Sequence, residues 1–196
     1  CFNDLYKVLS DDQLVDLALH KLSNPGSWAN THKSKDMINA FSEVYNEVIF
    51  DKATFEDLFN GHPSHLTDVV FGSSEFKYGI QFRFQKEHGK GKFGNNYLNL
   101  PSEAARQIRI ADAVAASSCF PGGFEPMIMP IDFGNGPESI VDLTWNKNYK
   151  GDDKSPETAI MDGGVIDNLG IEGVKLAEMR HTKNGQPFIG TYIVSD

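Results

Sequence analysis

The 196 residues suffice for one domain with a sizeable core, and their composition, 40% hydrophobic and 23% charged, is typical of a soluble globular protein. The net charge of −9 and the absence of a lysine- or arginine-rich block argue against a nucleic-acid partner, because neutralising phosphates requires clustered cations. Two cysteines exclude a disulfide framework, and no apolar run approaches the ~18 residues that a membrane-spanning helix requires. So few cysteines leave the cellular compartment open, and no signal peptide is predicted.

The first 60 residues have the pattern of three helices. Ser10 and Gln13 form a capping box, which predicts a helix that ends at the turn 24–26. A second helix is expected over 34–48, where apolar residues recur at helical spacing, and a short third helix from Thr54 onwards. The apolar stripes of these helices predict packing against a core and no chemistry.

Strands are predicted in the middle of the chain. Residues 68–72 form a short apolar run typical of a buried strand, and residues 78–85 alternate apolar with polar side chains, as in a half-exposed strand. The glycine-rich tract 88–99 formally matches G-x-G-x-x-G, but no helix opens on it. We therefore expect a mobile surface loop there and no nucleotide site.

A helix rich in alanine is predicted next, with Ser102 as its N-cap and a body that covers 104–116. Its small side chains permit close approach of a neighbouring backbone, and residues 120–126 then form a rigid apolar loop. Taken alone, this pattern indicates a tightly packed helix and a loop that closes the core. The remaining elements predicted before residue 157 are strands at 127–131 and 139–145 and a charged loop at 146–156.

The most informative stretch follows that charged loop. Residues 159–161 are a short apolar run typical of a buried strand, and Asp162 ends it, followed by two glycines whose backbone freedom permits a sharp turn. Asp167 and Asn168 are good N-cap residues for the amphipathic run 169–180. The sequence therefore predicts strand, tight turn and helix, with the Asp162 carboxylate at the edge where ligands bind in open α/β sheets.

Two interpretations of Asp162 stay open on these residues alone. An aspartate before two glycines is often a turn former whose carboxylate accepts hydrogen bonds from nearby backbone N–H groups. The other interpretation is a catalytic carboxylate. Other candidates are weaker, because His62 and His65 lack a nearby carboxylate or cysteine cluster for a metal, and Cys119 has no histidine close in sequence.

Taken together, the alanine-rich helix and the aspartate turn resemble the patatin-like phospholipase family. In that family an Ala-Ser-rich helix leads into a Pro…Phe-x-Pro loop, and a later strand ends in Asp-Gly-Gly or Asp-Gly-Ala with Asn-x-Pro a few residues on. The matching residues are Ala116, Ser117, Pro121, Phe124, Pro126, Asp162, Gly163, Gly164 and Asn168. Leu169-Gly170 stands where the family has x-Pro, a departure that affects the start of the helix more than the chemistry.

The resemblance implies a three-layer α/β/α sandwich with a mostly parallel central sheet. It implies that residues 1–196 form one partial catalytic domain, truncated at both ends, of a lipid acyl hydrolase of the phospholipase A or esterase type. Such an enzyme works through a Ser–Asp dyad, with Asp162 as the base and with no cofactor or metal. The family's G-x-S-x-G serine and its glycine-rich oxyanion loop do not occur here. We therefore expect both upstream, and we expect this chain alone to be inactive.

The expected partner is a lipid or acyl-ester substrate, with transient contact to a membrane surface. Phe120, Pro121, Phe124 and Met127 are the expected contacts of the acyl chain, although apolar loops of this kind more often serve only the core. The alternative is a non-catalytic lipid-binding or interaction module on the same scaffold, since fold does not determine function. A G-x-S-x-G segment upstream would favour the hydrolase.

Overall fold

The computed structural model describes residues 13–60, 68–87, 90–95, 97–100, 102–135, 144–145 and 157–182. The helices are α1 (Gln13–Ser23), α2 (Met37–Val44), α3 (Phe55–Asn60), α4 (Ser102–Arg106), α5 (Ile110–Ser117), α6 (Gly164–Asp167) and α7 (Ile171–His181). The strands are β1 (Asp68–Glu75), β2 (Ile80–Glu87), β3 (Lys90–Gly94), β4 (Leu98–Leu100), β5 (Met127–Met129), β6 (Thr144–Trp145) and β7 (Thr158–Asp162). Helices and strands together make an α/β fold.

The three helices predicted for the start of the chain are confirmed within the described residues. α1 covers the first, while its predicted cap, Ser10, lies outside the described residues. The second begins at Met37 and not at residue 34, because the Asp36 carboxylate accepts the Asn39 N–H at 3.0 Å and caps the helix there. It continues beyond α2 as a π-helical turn, Tyr45–Ile49.

The seven strands form one sheet in the order β5-β7-β1-β2-β3-β4-β6, and every described pairing in it is antiparallel. The expectation of a mostly parallel sheet is therefore wrong for this part of the chain. Parallel neighbours need a crossover of a dozen or more residues, whereas β1 and β2 are joined by residues 76–79 alone. A link of that length permits only a hairpin.

The glycine-rich tract is also different from the prediction. Residues 90–94 form β3 and residues 98–100 form β4, so the expectation of a mobile loop is wrong for the described residues. Phe93 is the physical reason, because its fully buried ring packs edge-on against Phe55 at 4.5 Å between ring centroids. The burial of this one aromatic side chain outweighs the turn preference of the glycines around it.

The alanine-rich helix is interrupted where the sequence predicts continuity. The backbone around Arg109 is extended and pairs with the segment before α3: Phe55 N donates to Ile108 O at 2.9 Å, and Ile110 N donates to Ala53 O at 3.1 Å. The helix therefore divides into α4 and α5. This break places Arg109 at the N-cap position of α5, with its side chain buried.

Successive side chains of a strand point to opposite faces of the sheet, and different helices cover the two faces. On one face Phe82 and Ile160 are fully buried in the main core, together with alanines of α5. On the other face Gln81 Nε2 donates to Asp167 Oδ2 of α6 at 3.2 Å. The end of β7 thus lies between α5 and α6.

Four charged side chains form a buried charge network (Lys33, Glu43, Arg109 and Asp112) at the start of α5. Asp112 accepts hydrogen bonds from Lys33 Nζ at 2.7 Å, from Arg109 Nε at 3.0 Å and from Arg109 Nη2 at 2.8 Å. Glu43 accepts a bond from Arg109 Nη2 at 2.7 Å. Two cations therefore balance two anions, as burial requires.

The environment of the network sets the charge states of its members. Burial by itself would raise the pKa of Asp112, but Arg109 and Lys33 outweigh that effect and hold the pKa well below its usual range. Burial lowers the pKa of Lys33, and the attraction of Asp112 partly offsets it. Since the four residues come from the segment before α2, from α2 and from α5, the network fixes these three segments against one another.

Replacing Asp112 by Asn keeps the size of the side chain but removes one of the two buried negative charges. Lys33 and Arg109 then share Glu43 alone, so we expect the free energy of unfolding to fall by about 3–5 kcal/mol, as for other broken buried ion pairs. Urea unfolding followed by circular dichroism measures this loss.

The matched control is Glu47→Gln, because Glu47 pairs with Lys21 at 2.7 Å while its side chain stays exposed. Exposed ion pairs contribute only about 0–1 kcal/mol, so this variant should unfold close to wild type. Equal losses in the two variants would contradict the importance assigned to the buried network.

Candidate active site at the end of strand β7

Backbone hydrogen bonds join the two stretches that carry the sequence motifs. Asp162 N donates to Cys119 O at 3.0 Å, and Gly163 N donates to Ser117 O at 3.4 Å. The end of β7 is thereby attached to the end of α5 and to the residue just before the apolar loop. The structure brings together the two segments that sequence alone relates only by order.

A side-chain contact reinforces this junction on the neighbouring strand. Ser117 Oγ donates to Gly72 O at 2.7 Å. The β1–β7 ladder ends with Ser73 opposite Asp162, so Gly72 lies just beyond the last paired residue of β1. The Ser117 hydroxyl thus bonds a carbonyl at the point where the two strands separate.

A glycine is required at position 163 because a side chain would not fit there, and not because of its backbone angles. Its φ of −65° and ψ of −29° are helical values that any residue adopts, so the predicted need for unusual backbone angles is wrong here. A Cβ at Gly163 would lie 2.4 Å from Gly72 O, which is too close for any carbon atom. A glycine therefore lets the turn after β7 touch the backbone of β1.

The Asp162 carboxylate is held by one of its two oxygens. Oδ1 accepts the Gly164 N–H at 2.5 Å, which is the contact that a turn-forming aspartate makes two residues along the chain. The side chain is half-buried, and within the described part of the chain no donor reaches Oδ2. The geometry thus accommodates both interpretations of Asp162, with one oxygen in the turn and one available.

The helix after the turn starts later than predicted. α6 is a single short turn, and Gly170, with a left-handed φ of +64°, is the N-cap of α7. Asn168 is therefore not the N-cap. Asp167 does cap α7, from three residues before its N-cap, because its carboxylate accepts the N–H groups of Ile171 at 3.2 Å and Glu172 at 3.0 Å.

The predicted acyl-chain contacts lie in different environments. Phe120 is 63% exposed and Pro121 is half-buried, both directly after the carbonyl that bonds Asp162. Phe124 packs edge-on against Phe41, with 6.0 Å between ring centroids. Met127 is fully buried in the core on β5 and exposes no surface. Of the four, Phe120 is the one that is largely exposed, and it directly follows the residue whose carbonyl accepts the Asp162 N–H.

The surroundings of Cys119 indicate a structural role and no catalytic one. Its thiol is fully buried and donates to Glu125 O at 3.0 Å, and burial raises the pKa of the Cys119 thiol to about 12. A thiol in this state is a poor nucleophile at neutral pH. The histidines His62 and His65 lie outside the described residues, and the described ones contain no group of three side chains suited to a metal ion.

Sequence reasoning missed the exposed apolar side chains that follow the turn. Val165 is 52% exposed and Ile166 is 42% exposed, and Leu169 is also exposed at the end of the same segment. We group these three side chains with Phe120, which follows the carbonyl that accepts the Asp162 N–H, and call the group the apolar rim (Phe120, Val165, Ile166 and Leu169). The available signal was a pair of apolar residues, Val165 and Ile166, directly after the Asp-Gly-Gly turn and ahead of the amphipathic run 169–180. None of the helices in the described ranges has the length and apolar character to cross a membrane.

Comparison with known proteins gives one match. The model of the family described as patatin-like phospholipase matches residues 3–175. No curated protein and no solved structure matches the chain. The matched residues include every strand of the sheet and both of the segments that are hydrogen-bonded at the end of β7.

Adding a methyl group at Gly163 tests whether backbone contact determines the position of the turn. Gly163→Ala forces the turn away from Gly72, so we expect the free energy of unfolding to fall by about 1–3 kcal/mol, as for overpacked sites. Gly123→Ala is the control, because a Cβ there would lie 3.7 Å from Phe120 O, an ordinary contact. Chemical denaturation of both variants gives the comparison, and an unchanged Gly163→Ala would show that the contact is not required.

Proposed function

Since the chain belongs to the patatin-like phospholipase family, we propose that it hydrolyses lipid acyl esters, with Asp162 as the general base for a serine nucleophile. The observation that carries this proposal is that only one of the two Asp162 carboxylate oxygens is held by a hydrogen bond from the described residues. Gly164 N holds Oδ1 at 2.5 Å, and Oδ2 receives no hydrogen bond from the described residues. A base needs one such free oxygen in a fixed direction.

The chemistry follows from the weakness of serine as a nucleophile. A serine hydroxyl needs a base within about 2.6–3.2 Å, so that its proton moves to the base as its oxygen attacks the ester carbonyl. In the proposal Oδ2 takes that proton and returns it to the leaving alcohol, and Asp162 then activates the water that releases the acyl group. The serine is assigned to a G-x-S-x-G segment upstream, because residues 1–196 contain none.

Main-chain bonds support the precision that such a base requires. Proton transfer is efficient only when donor and acceptor stay aligned. The hydrogen bond from Gly164 N–H restricts rotation of the Asp162 carboxylate about the Cβ–Cγ bond. The bonds from Asp162 N to Cys119 O and from Gly163 N to Ser117 O restrict the backbone that carries it. These contacts fit a base attached to a rigid strand end.

The apolar rim supports a lipid surface as the partner. Its four side chains lie on the segments that flank Asp162, and an acyl chain leaving a bilayer needs apolar contacts along its path. Asp167 and Glu172 lie close by on α6 and α7, and the chain carries a net charge of −9. Acidic surroundings oppose anionic headgroups, so we propose contact with a zwitterionic lipid surface. The same rim equally suits a non-catalytic lipid-binding module, which is the second candidate.

Replacing Asp162 by Asn in the full-length protein separates catalysis from turn formation. Asn keeps the size of the side chain and can still accept the Gly164 N–H, but it cannot accept a proton as a base. We expect kcat for hydrolysis of a short-chain p-nitrophenyl ester to fall at least ~100-fold, while the thermal midpoint stays unchanged.

The matched control for this substitution is Asp167→Asn, which alters a carboxylate in the same segment that caps α7 and accepts a hydrogen bond from Gln81. That variant should lose some stability and keep its kcat. A folded Asp162→Asn protein with normal kcat would show that Asp162 serves only to form the turn, and it would favour the lipid-binding module.

Removing apolar side chains from the rim tests the lipid partner. Val165→Ser combined with Ile166→Ser should weaken binding to phosphatidylcholine vesicles about tenfold or more, because each lost side chain removes roughly 1 kcal/mol of burial. Vesicle sedimentation measures the binding.

The control pair is Val15→Ser with Leu19→Ser on α1, since these side chains are 47% and 49% exposed but lie far from β7 in the chain. Binding should be unchanged in that pair. If both pairs weaken binding equally, contact with lipid is not specific to the rim.

A further inference from the structure

Strand β1 carries two buried hydroxyl groups without hydrogen-bond partners. Ser73 is fully buried and Ser74 nearly so, and in the described part of the chain neither Oγ has a donor or acceptor within reach. A buried polar group left unpaired lowers stability, so each such group calls for an explanation. The two serines differ in what lies opposite them.

Ser73 is the direct cross-strand neighbour of Asp162, whereas Ser74 is opposite Met161. Residues directly opposite in an antiparallel pair project to the same face, with their Cβ atoms about 4.5–5.5 Å apart. Ser73 therefore shares its face with the Asp162 carboxylate, and Ser74 projects to the other face. At that separation one rotation about the first side-chain bond of Ser73 can carry its hydroxyl to a carboxylate oxygen.

A second pair on the same two strands shows that hydroxyl and carboxylate groups do meet on this face. Thr158 and Asp162 lie on one face of β7 because they are four positions apart along the strand, an even number. Thr158 Oγ1 donates to Glu75 Oε1 of β1 at 2.6 Å. Glu75 likewise shares its face of β1 with Ser73, so all four side chains lie on one face of the ladder.

We infer that Ser73 is a positioning residue for Asp162. Its hydroxyl turns to donate a hydrogen bond to the Asp162 carboxylate when the nucleophile and substrate are in place, and with the Gly164 N–H it fixes the carboxylate from a second side. A hydroxyl suits this role because it can donate or accept, and so can stay bonded whether Asp162 is charged or has taken up the proton. The inference rests on the proposed function of Asp162 and adds the residue that orients it.

The experiment compares Ser73→Ala with Ser74→Ala in the full-length protein. Both remove one buried, unpaired hydroxyl from β1, so neither should lower the thermal midpoint. For a short-chain p-nitrophenyl ester we expect only Ser73→Ala to lose kcat, by about tenfold or more, at unchanged KM. That factor is typical of losing one hydrogen bond to a charged group. Ser73→Thr, which restores a hydroxyl, should recover most of the loss.

The outcomes separate this inference from the function on which it rests. Equal kcat in the two alanine variants would overturn the role of Ser73, and so would a folded Ser73→Thr protein as slow as Ser73→Ala. Asp162→Asn is measured in parallel. If it is inactive while Ser73→Ala is normal, only the positioning role fails, whereas an active Asp162→Asn overturns the proposed base itself.

Discussion

The buried charge network is the constraint on which the rest of the structure depends. Removing four charges from water is costly, and the cost is offset only when each charge is paired with an opposite one. Asp112 achieves that with bonds from two cations, from the Ser42 hydroxyl and from the Gly134 N–H. These bonds determine where α5 begins. Because α5 has eight residues, its far end lies about 12 Å away, where the carbonyls of Ser117 and Cys119 receive the end of β7.

At that far end, main-chain atoms hold the candidate base. The N–H groups of Asp162, Gly163 and Gly164 all donate hydrogen bonds. The first two bond the carbonyls of Cys119 and Ser117 at the end of α5, and the third bonds the Asp162 carboxylate itself. The side chains of Ser117 and, by our inference, Ser73 add to these main-chain contacts. The two interpretations of Asp162 are therefore not exclusive, since turn formation occupies one oxygen and leaves the other.

Local periodicity made much of the fold predictable, including the first three helices and the strand and turn around Asp162. Three features of the fold were not predicted. The strand at Phe93 forms because a distant aromatic ring packs against it. The sheet direction follows from a four-residue link that is too short for a crossover. The burial of Lys33 and Arg109 was not predicted either, because they pair with Asp112 and Glu43, which lie 79 and 66 residues away in the sequence. At the candidate site, nothing in the sequence around Ser73 indicates that its cross-strand neighbour is Asp162.

The backbone contact between Gly163 and Gly72 has a consequence for how such chains diverge. The side chains of Val165, Ile166 and Leu169 take part in none of the hydrogen bonds that hold Asp162. Selection can therefore exchange these exposed residues one at a time without moving the carboxylate, whereas Gly163 tolerates almost no change. Variation in this family should accumulate on the rim and stop at the turn, so that new preferences for surfaces evolve around a carboxylate that stays in place.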